Sequence, residues 1–326
     1  MEYLSPIEKI LVQVVYLAPL VLAFICGSVI GSLSNVVIYR LPLKQSLWSP
    51  SSHCPSCETK IAWYDNIPIF SWLNLRAKCR HCGIRISPRY IIVEMLSGIL
   101  YVVVLWVFGY MPLEAGRIPN ELPNLSDFTL RIIPMLAKAY IFTSLLLILS
   151  FIDLDIRKLP DRLTLPGMVI GLVLSFTIFP EGPAIWRHMP IHLLYLDSIY
   201  GFILGGGVLF LLAMGWKGGM GGGDIKLCAM MGAFLGWKAM IVALFAGFLL
   251  GALFSIGLMI LKLATMKSMI PFGPYLALGG FVAMLFGKST AWVYFVAGIQ
   301  HKDLNTALES LSQVPGFLAR VFHLIA

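Results

Sequence analysis

Gly219-Met220-Gly221-Gly222-Gly223-Asp224 puts a carboxylate directly after a glycine run, at the mouth of an apolar stretch that continues from Ile225 to Leu235. A second stretch repeats the layout. In Phe151-Ile152-Asp153-Leu154-Asp155-Ile156-Arg157-Lys158-Leu159-Pro160-Asp161, an apolar run passes into acids at a boundary. An ionisable group at the end of a membrane helix is costly to place any deeper and is a functional candidate by default. Two such places in one chain point to a pair of carboxylates working together, the outline of an aspartic protease set in a membrane.

The composition supports the membrane. Of 326 residues, 59% are hydrophobic and only 12% charged, against about 25% charged in soluble domains. The net charge of +8 and the isoelectric point near 9.2 do not indicate nucleic acid. The basic residues sit in loops between apolar segments, where orientation in the bilayer accounts for them. The first apolar run, 10–38, exceeds the roughly 7–15 residues of a signal-peptide core and has no basic run before it, so it is read as a retained helix.

A spanning helix needs about 20 apolar residues. The candidates are 12–36, 91–110, 132–152, 163–179, 199–214, 240–261 and 271–286, with 225–235 as a shorter, tilted piece. Counting that piece gives an all-α polytopic protein of about eight transmembrane helices; omitting it gives seven. The organisation expected is a first helix at 1–39, a loop at 40–90, a membrane core at 91–299 and a polar, amphipathic tail at 300–326.

Orientation follows the cations. Loop 40–90 holds Arg40, Lys44, Lys60, Arg76, Lys78, Arg80, Arg85 and Arg89; Arg157, Lys158 and Arg162 follow the third helix, and Lys217 and Lys226 the fifth. Cytoplasmic loops collect Lys and Arg. Loop 40–90 is therefore assigned to the cytoplasm, and Asp153 and Asp224 fall on that same side.

The loop carries Cys54-Pro55-Ser56-Cys57 and Cys79-Arg80-His81-Cys82. Two C-x-x-C pairs about 20 residues apart are a strong zinc signal. Each x-x turn brings two sulfurs to one side of an ion that prefers four ligands in a tetrahedron. Two disulfides or four idle thiols are the alternatives, and a reducing cytoplasm disfavours the first. Four Cys leave no open coordination position, so a structural role is expected. His53 and His81 are read as bystanders, and Cys26 and Cys228 as small core residues.

Asp153 and Asp224 are the candidate catalysts. In a two-aspartate mechanism the carboxyl groups lie too close to ionise together, and one keeps its proton. The glycines before Asp224 permit close approach by another chain, and a helix starting at Ile225 presents its positive end to negative charge. Alone, a glycine turn followed by Asp is often only a helix cap. Asp155 and Asp161 are read as a solvated acid and a cap.

Together these residues resemble the type IV prepilin peptidases and N-methyltransferases. Gly31-Ser32-Leu33-Ser34-Asn35-Val36-Val37-Ile38-Tyr39-Arg40-Leu41-Pro42 is similar to that family's G-S-x-x-N-V-x-x-x-R-x-P signature, and the cysteine pairs to its zinc loop. Pro88-Arg89-Tyr90 with Glu94, both Asp motifs, and Pro271-Phe272-Gly273-Pro274-Tyr275-Leu276-Ala277 complete the series in the family's order. Gly222 departs from it, at a position often aromatic, as does Ser34, at one often Phe or Leu. The resemblance implies a bacterial inner-membrane enzyme that cleaves the leader of prepilins and pseudopilins on the cytoplasmic side. It also implies methylation of the new N-terminal residue with S-adenosylmethionine. Asp153 and Asp224 inherit the catalytic roles by motif position. The methyl-donor site is not assigned; Glu94, Arg40 and Asn35 are weighed against plain anchoring at helix ends. Membrane lipid is an expected partner, nucleic acid is not, and Gly201-x-x-x-Gly205 packs helices within or between chains.

Two readings of other classes compete. An ion-coupled transporter uses intramembrane acids and broken helices, but leaves the cysteine tetrad unexplained. A non-enzymatic assembly protein docking partners on its zinc loop leaves both Asp motifs as coincidence.

Overall fold

A computed structural model of the chain describes residues 6–49, 51–110, 125–177, 194–215, 221–263 and 271–286. The architecture among them is helical, with β pairing confined to isolated bridges in the cysteine loop. Contacts divide the chain into a first unit, residues 1–160 with 181–184, and a second, residues 161–180 with 185–326. The expected tail at 300–326, and Gly219 and Met220 of the second motif, lie outside the described residues.

In the first unit, α1 (Pro6–Arg40) is followed by the cysteine loop with its short α2 (Phe70–Asn74), then α3 (Arg89–Leu105) and α4 (Leu125–Ile156). α1 packs along α3, and both touch α4. The seam between α1 and α3 is made of small residues: a Cβ on Gly31 would stand 2.8 Å from the Glu94 Cα. Without a hydrophobic driving force between helices in lipid, such close backbone approach is what holds them together.

The second unit holds α5 (Asp161–Thr177), α6 (Leu194–Gly215), α7 (Gly222–Leu235), α8 (Trp237–Ile260) and α9 (Gly273–Phe286). α7 contacts all four others, and every residue from Leu227 to Leu235 is buried. The small-residue pair on α6 packs within the chain: side chains at Gly201 or Gly205 would run into α7 backbone at Gly232 and Cys228. A single residue, Gly236 at φ +79°, turns α7 into α8.

Five helical stretches are long and apolar enough to cross a membrane: Leu17–Arg40, Arg89–Phe108, Ile133–Ile156, Leu196–Gly215 and Trp237–Ile260. α5, with 17 residues, and α7 and α9, with 14 each, are shorter. At about 1.5 Å per residue, 14 residues fall well short of the roughly 30 Å hydrocarbon layer. The protein is thus multi-pass, and the eight expected crossings resolve into five full-length helices and three short ones among the described residues. Cys26 corrects its sequence reading: it lies exposed on α1, whereas Cys228 is buried as expected.

Candidate active site and metal centre

The two C-x-x-C pairs build matching knuckles. In the first, Cys54 N–H donates to Thr59 O (3.0 Å) and Glu58 N–H returns to Cys54 O (2.9 Å); in the second, Cys79 N–H donates to Ile84 O (2.8 Å) and Gly83 N–H to Cys79 O (3.0 Å). Each chain reversal requires a positive φ four residues after its first Cys, at Glu58 (54°) and Gly83 (68°). Isolated bridges close both, His53 with Lys60 and Lys78 with Arg85.

The four sulfurs converge within 4.8 Å of one another, and none forms a disulfide. Cys54 Sγ lies 3.8 Å from Cys82 Sγ. A tetrahedron with metal–sulfur bonds of about 2.3 Å has edges of about 3.8 Å, so the donor set fits a metal of that geometry. Without a cation the protons distribute unevenly. Hydrogen bonding by Thr59 brings the Cys57 thiol down to about 6, and backbone hydrogen bonds from Cys82 and His81 lower Cys79. At Cys82 a backbone hydrogen bond from Ile84 favours the thiolate, but desolvation and the neighbouring sulfurs prevail and push it up to about 11.

The loop is fastened at two further places. Arg80 makes a two-pronged contact with Asp65, 2.8 Å from Nε and 2.6 Å from Nη2, and lies over the Tyr64 ring. Arg80 thereby holds the Asp65 carboxyl below its usual range. The three weighed methyl-site residues all act as anchors. Asn35 Nδ2 donates to Tyr90 O (3.0 Å), Arg40 Nη1 to Ser46 O (3.1 Å), and Glu94 accepts from Ile69 N–H (2.7 Å).

Asp153 is buried near the end of α4. Its carbonyl accepts from Arg157 N–H (2.9 Å), and Arg157 takes a φ of 52°, the left-handed residue that stops the helix. Two residues on, Asp155 ion-pairs with Arg89 at the start of α3, and the Arg89 guanidinium lies over Phe151. That acid is exposed, as the sequence suggested, and carries an ion pair besides.

Asp224 lies in the first turn of α7, its N–H bonded to Gly221 O at 3.1 Å. Gly221 has an ordinary extended backbone, φ −76° and ψ 141°. A Cβ on the exposed Gly222 would meet nothing within 4 Å. Neither glycine has the positive φ that would by itself require one. Asp161 is in the first turn of α5, and its carboxylate bonds Lys226 Nζ at 2.6 Å. Asp153 belongs to the first unit and Asp224 to the second.

Residues 25–108 match the bacterial peptidase A24 N-terminal domain, and residues 140–256 match the type IV leader peptidase family. A prepilin leader peptidase/N-methyltransferase of Aeromonas salmonicida is 37% identical over 83% of this chain and 92% of its own length. One of Stutzerimonas stutzeri is 35% identical over 85% and 94%. The chain belongs to the type IV leader peptidase family. A Myxococcus xanthus relative of the same name is 40% identical over 71% of this chain, and that match spans 61% of the relative's length. No solved structure matches the chain.

Both matched regions of this leader peptidase family member bear on the site. The first contains the Cys tetrad and Glu94, the second both Asp153 and Asp224. Sequence reasoning missed the partners: Arg89 for Asp155, Lys226 for Asp161, Arg80 for Asp65 and Ile69 for Glu94. No local pattern announces pairs so far apart in the chain.

Proposed function

We propose that this family member cleaves the leader peptide of type IV prepilins and pseudopilins with Asp153 and Asp224, then N-methylates the new N-terminal residue. The observation that carries the assignment is the match of residues 140–256 to the type IV leader peptidase family, a region that holds both acids. Asp153 is buried at the end of one helix and Asp224 stands in the first turn of another, while the neighbouring Asp155 and Asp161 form ion pairs with Arg89 and Lys226.

In this reading the ionised carboxylate takes a proton from water as the water oxygen attacks the scissile carbonyl carbon. The protonated carboxyl gives its proton to the carbonyl oxygen. The tetrahedral intermediate collapses, the C–N bond breaks, and the leaving amine receives the proton taken from water. The positive end of α7 favours negative charge at Asp224. The open Gly221–Gly222 edge lets an extended peptide backbone come close.

Cys54, Cys57, Cys79 and Cys82 hold Zn²⁺. Four thiolates complete its coordination, so it supplies folding energy to a loop with little core of its own. S-adenosylmethionine is the methyl donor. The described residues include no sheet of the kind that carries the donor's glycine turn in soluble methyltransferases, and no step is assigned to them for it. The setting is a bacterial inner membrane with loop and acids facing the cytoplasm, supported by the clustering of Lys and Arg on that side.

Membranes bearing the parent or Asp224→Asn, given a prepilin and S-adenosylmethionine, test the reading by product mass. Leader loss and a one-methyl increase in the parent alone are expected. Full cleavage by the variant excludes the two-aspartate assignment.

A further inference from the structure

The segment between the two cysteine knuckles contains a costly turn. Ile69, a β-branched residue, adopts φ 63° and ψ −54°, and Phe70 N–H reaches back to Pro68 O at 2.6 Å. This is a γ-turn of the rare, strained hand. Such strain persists only where the surroundings over-determine it. Here Glu94, buried on the membrane helix α3, accepts the Ile69 N–H at 2.7 Å. Ser71 secures the other side, donating to Tyr64 O (3.0 Å) and accepting from Ile67 N–H (2.9 Å).

The turn faces apolar side chains outward. Phe70 is 61% exposed and Leu73 58% exposed, with Ile67 also exposed. Three residues apart on a helical turn, Phe70 and Leu73 share a face. Glu94 sets their level. It stands five residues into α3, about 7.5 Å along the axis, and a helical side chain covers the turn before its own Cα. The carboxylate therefore lies beside the first turns of α3. There Ile92, within a stretch apolar enough to span, is itself 51% exposed.

We propose that residues 67–73 are seated in the membrane boundary, with Phe70 and Leu73 among the upper lipid chains. The charge of the loop matches an anionic lipid surface: residues 41–88 carry Lys44, Lys60, Arg76, Lys78, Arg80 and Arg85 against Glu58 and Asp65 alone. Basic segments next to membrane helices are drawn to anionic head groups, and an apolar face flanked by cations settles at the acyl boundary. The cysteine loop then rests on the bilayer, with Glu94 fixing its depth.

The full chain, reconstituted in phosphatidylethanolamine and phosphatidylglycerol vesicles with p-benzoylphenylalanine in place of Phe70 or Leu73, is irradiated and its adducts are weighed. Ile92 serves as the lipid-facing reference and Glu58 as the aqueous one. Lipid adducts at 70 and 73 approaching the yield at 92 are expected. Yields no greater than at 58, or adducts to protein instead, overturn the proposal. Hydroxyl-radical footprinting of the unaltered protein in the same vesicles gives an independent reading. Leu73 is expected to be protected while Ile84, exposed on the second knuckle, is oxidised; equal oxidation of the two overturns the seating.

Discussion

Lys226, on the second turn of α7, and Asp161, at the start of α5, join two helices across 65 residues of chain, Nζ lying 2.6 Å from the carboxylate. The pair is largely exposed, so it contributes no more than about 1 kcal/mol of stability. It marks Asp161 as a residue that positions α5 against α7, two positions along α7 from Asp224.

Asp161→Asn is therefore expected to keep cleavage within about tenfold of the parent. Asp153→Asn and Asp224→Asn lose at least ~100-fold, the lower range of acid–base catalysis. Initial rates on a prepilin, with unchanged thermal melting in detergent, separate the two outcomes.

On the zinc assignment proposed above, Cys57→Ser removes one of four ligands, and bound zinc measured by elemental analysis should fall from about one ion per chain to a small fraction. Zinc in small sites of this type supplies about 10–16 kcal/mol of folding energy, so loop 51–87 should become a protease target. The membrane helices should melt nearly as before.

Glu94→Ala deprives Ile69 N–H of its acceptor, at a cost of about 1–3 kcal/mol. Glu94→Gln keeps an acceptor oxygen and should recover most of it. Protease sensitivity of residues 63–76, compared between the two variants, checks this.

Gly232→Ala places a methyl group against the α6 backbone at Gly201. Overpacking of this kind costs about 1–3 kcal/mol. A lower melting temperature with metal content unchanged is expected, because the collision lies in the second unit and the cysteine loop in the first.

Arg80 holds the Asp65 carboxyl below its usual range. A carboxyl lowered by folding stabilises the loop above the ordinary Asp value of about 3.9. That contribution disappears as the pH falls through the lowered value. In Arg80→Gln the loss of loop stability as the pH falls below about 3.9, followed by proteolysis, should be smaller than in the parent.

The parts legible beforehand were those whose chemistry is local in the chain. A C-x-x-C turn aims two sulfurs one way whatever surrounds it, and both knuckles formed. Acids at the end of an apolar run mark a helix end, and Asp153 and Asp224 each occupy one. What stayed hidden depends on neighbours. The run 225–235 gave no sign that lipid is replaced by protein on all sides, because apolar residues suit either. Cys26 and Cys228 occupy similar apolar surroundings in the sequence, yet one faces outward and the other lies against packed helices. Asp155 is exposed as expected, but its ion-pair partner, Arg89, stands 66 positions earlier and went unseen.

The bareness of the Gly221–Gly222 edge bears on inhibition. A ligand entering beside Asp224 there meets main chain, whose hydrogen-bonding groups are the same whatever the residue. A side chain at position 222, where the resembled family often carries an aromatic residue, has room in this chain, so it could shut out such a ligand without disturbing the helix beneath. Compounds imitating an extended backbone would therefore discriminate between family members by what stands at this one position.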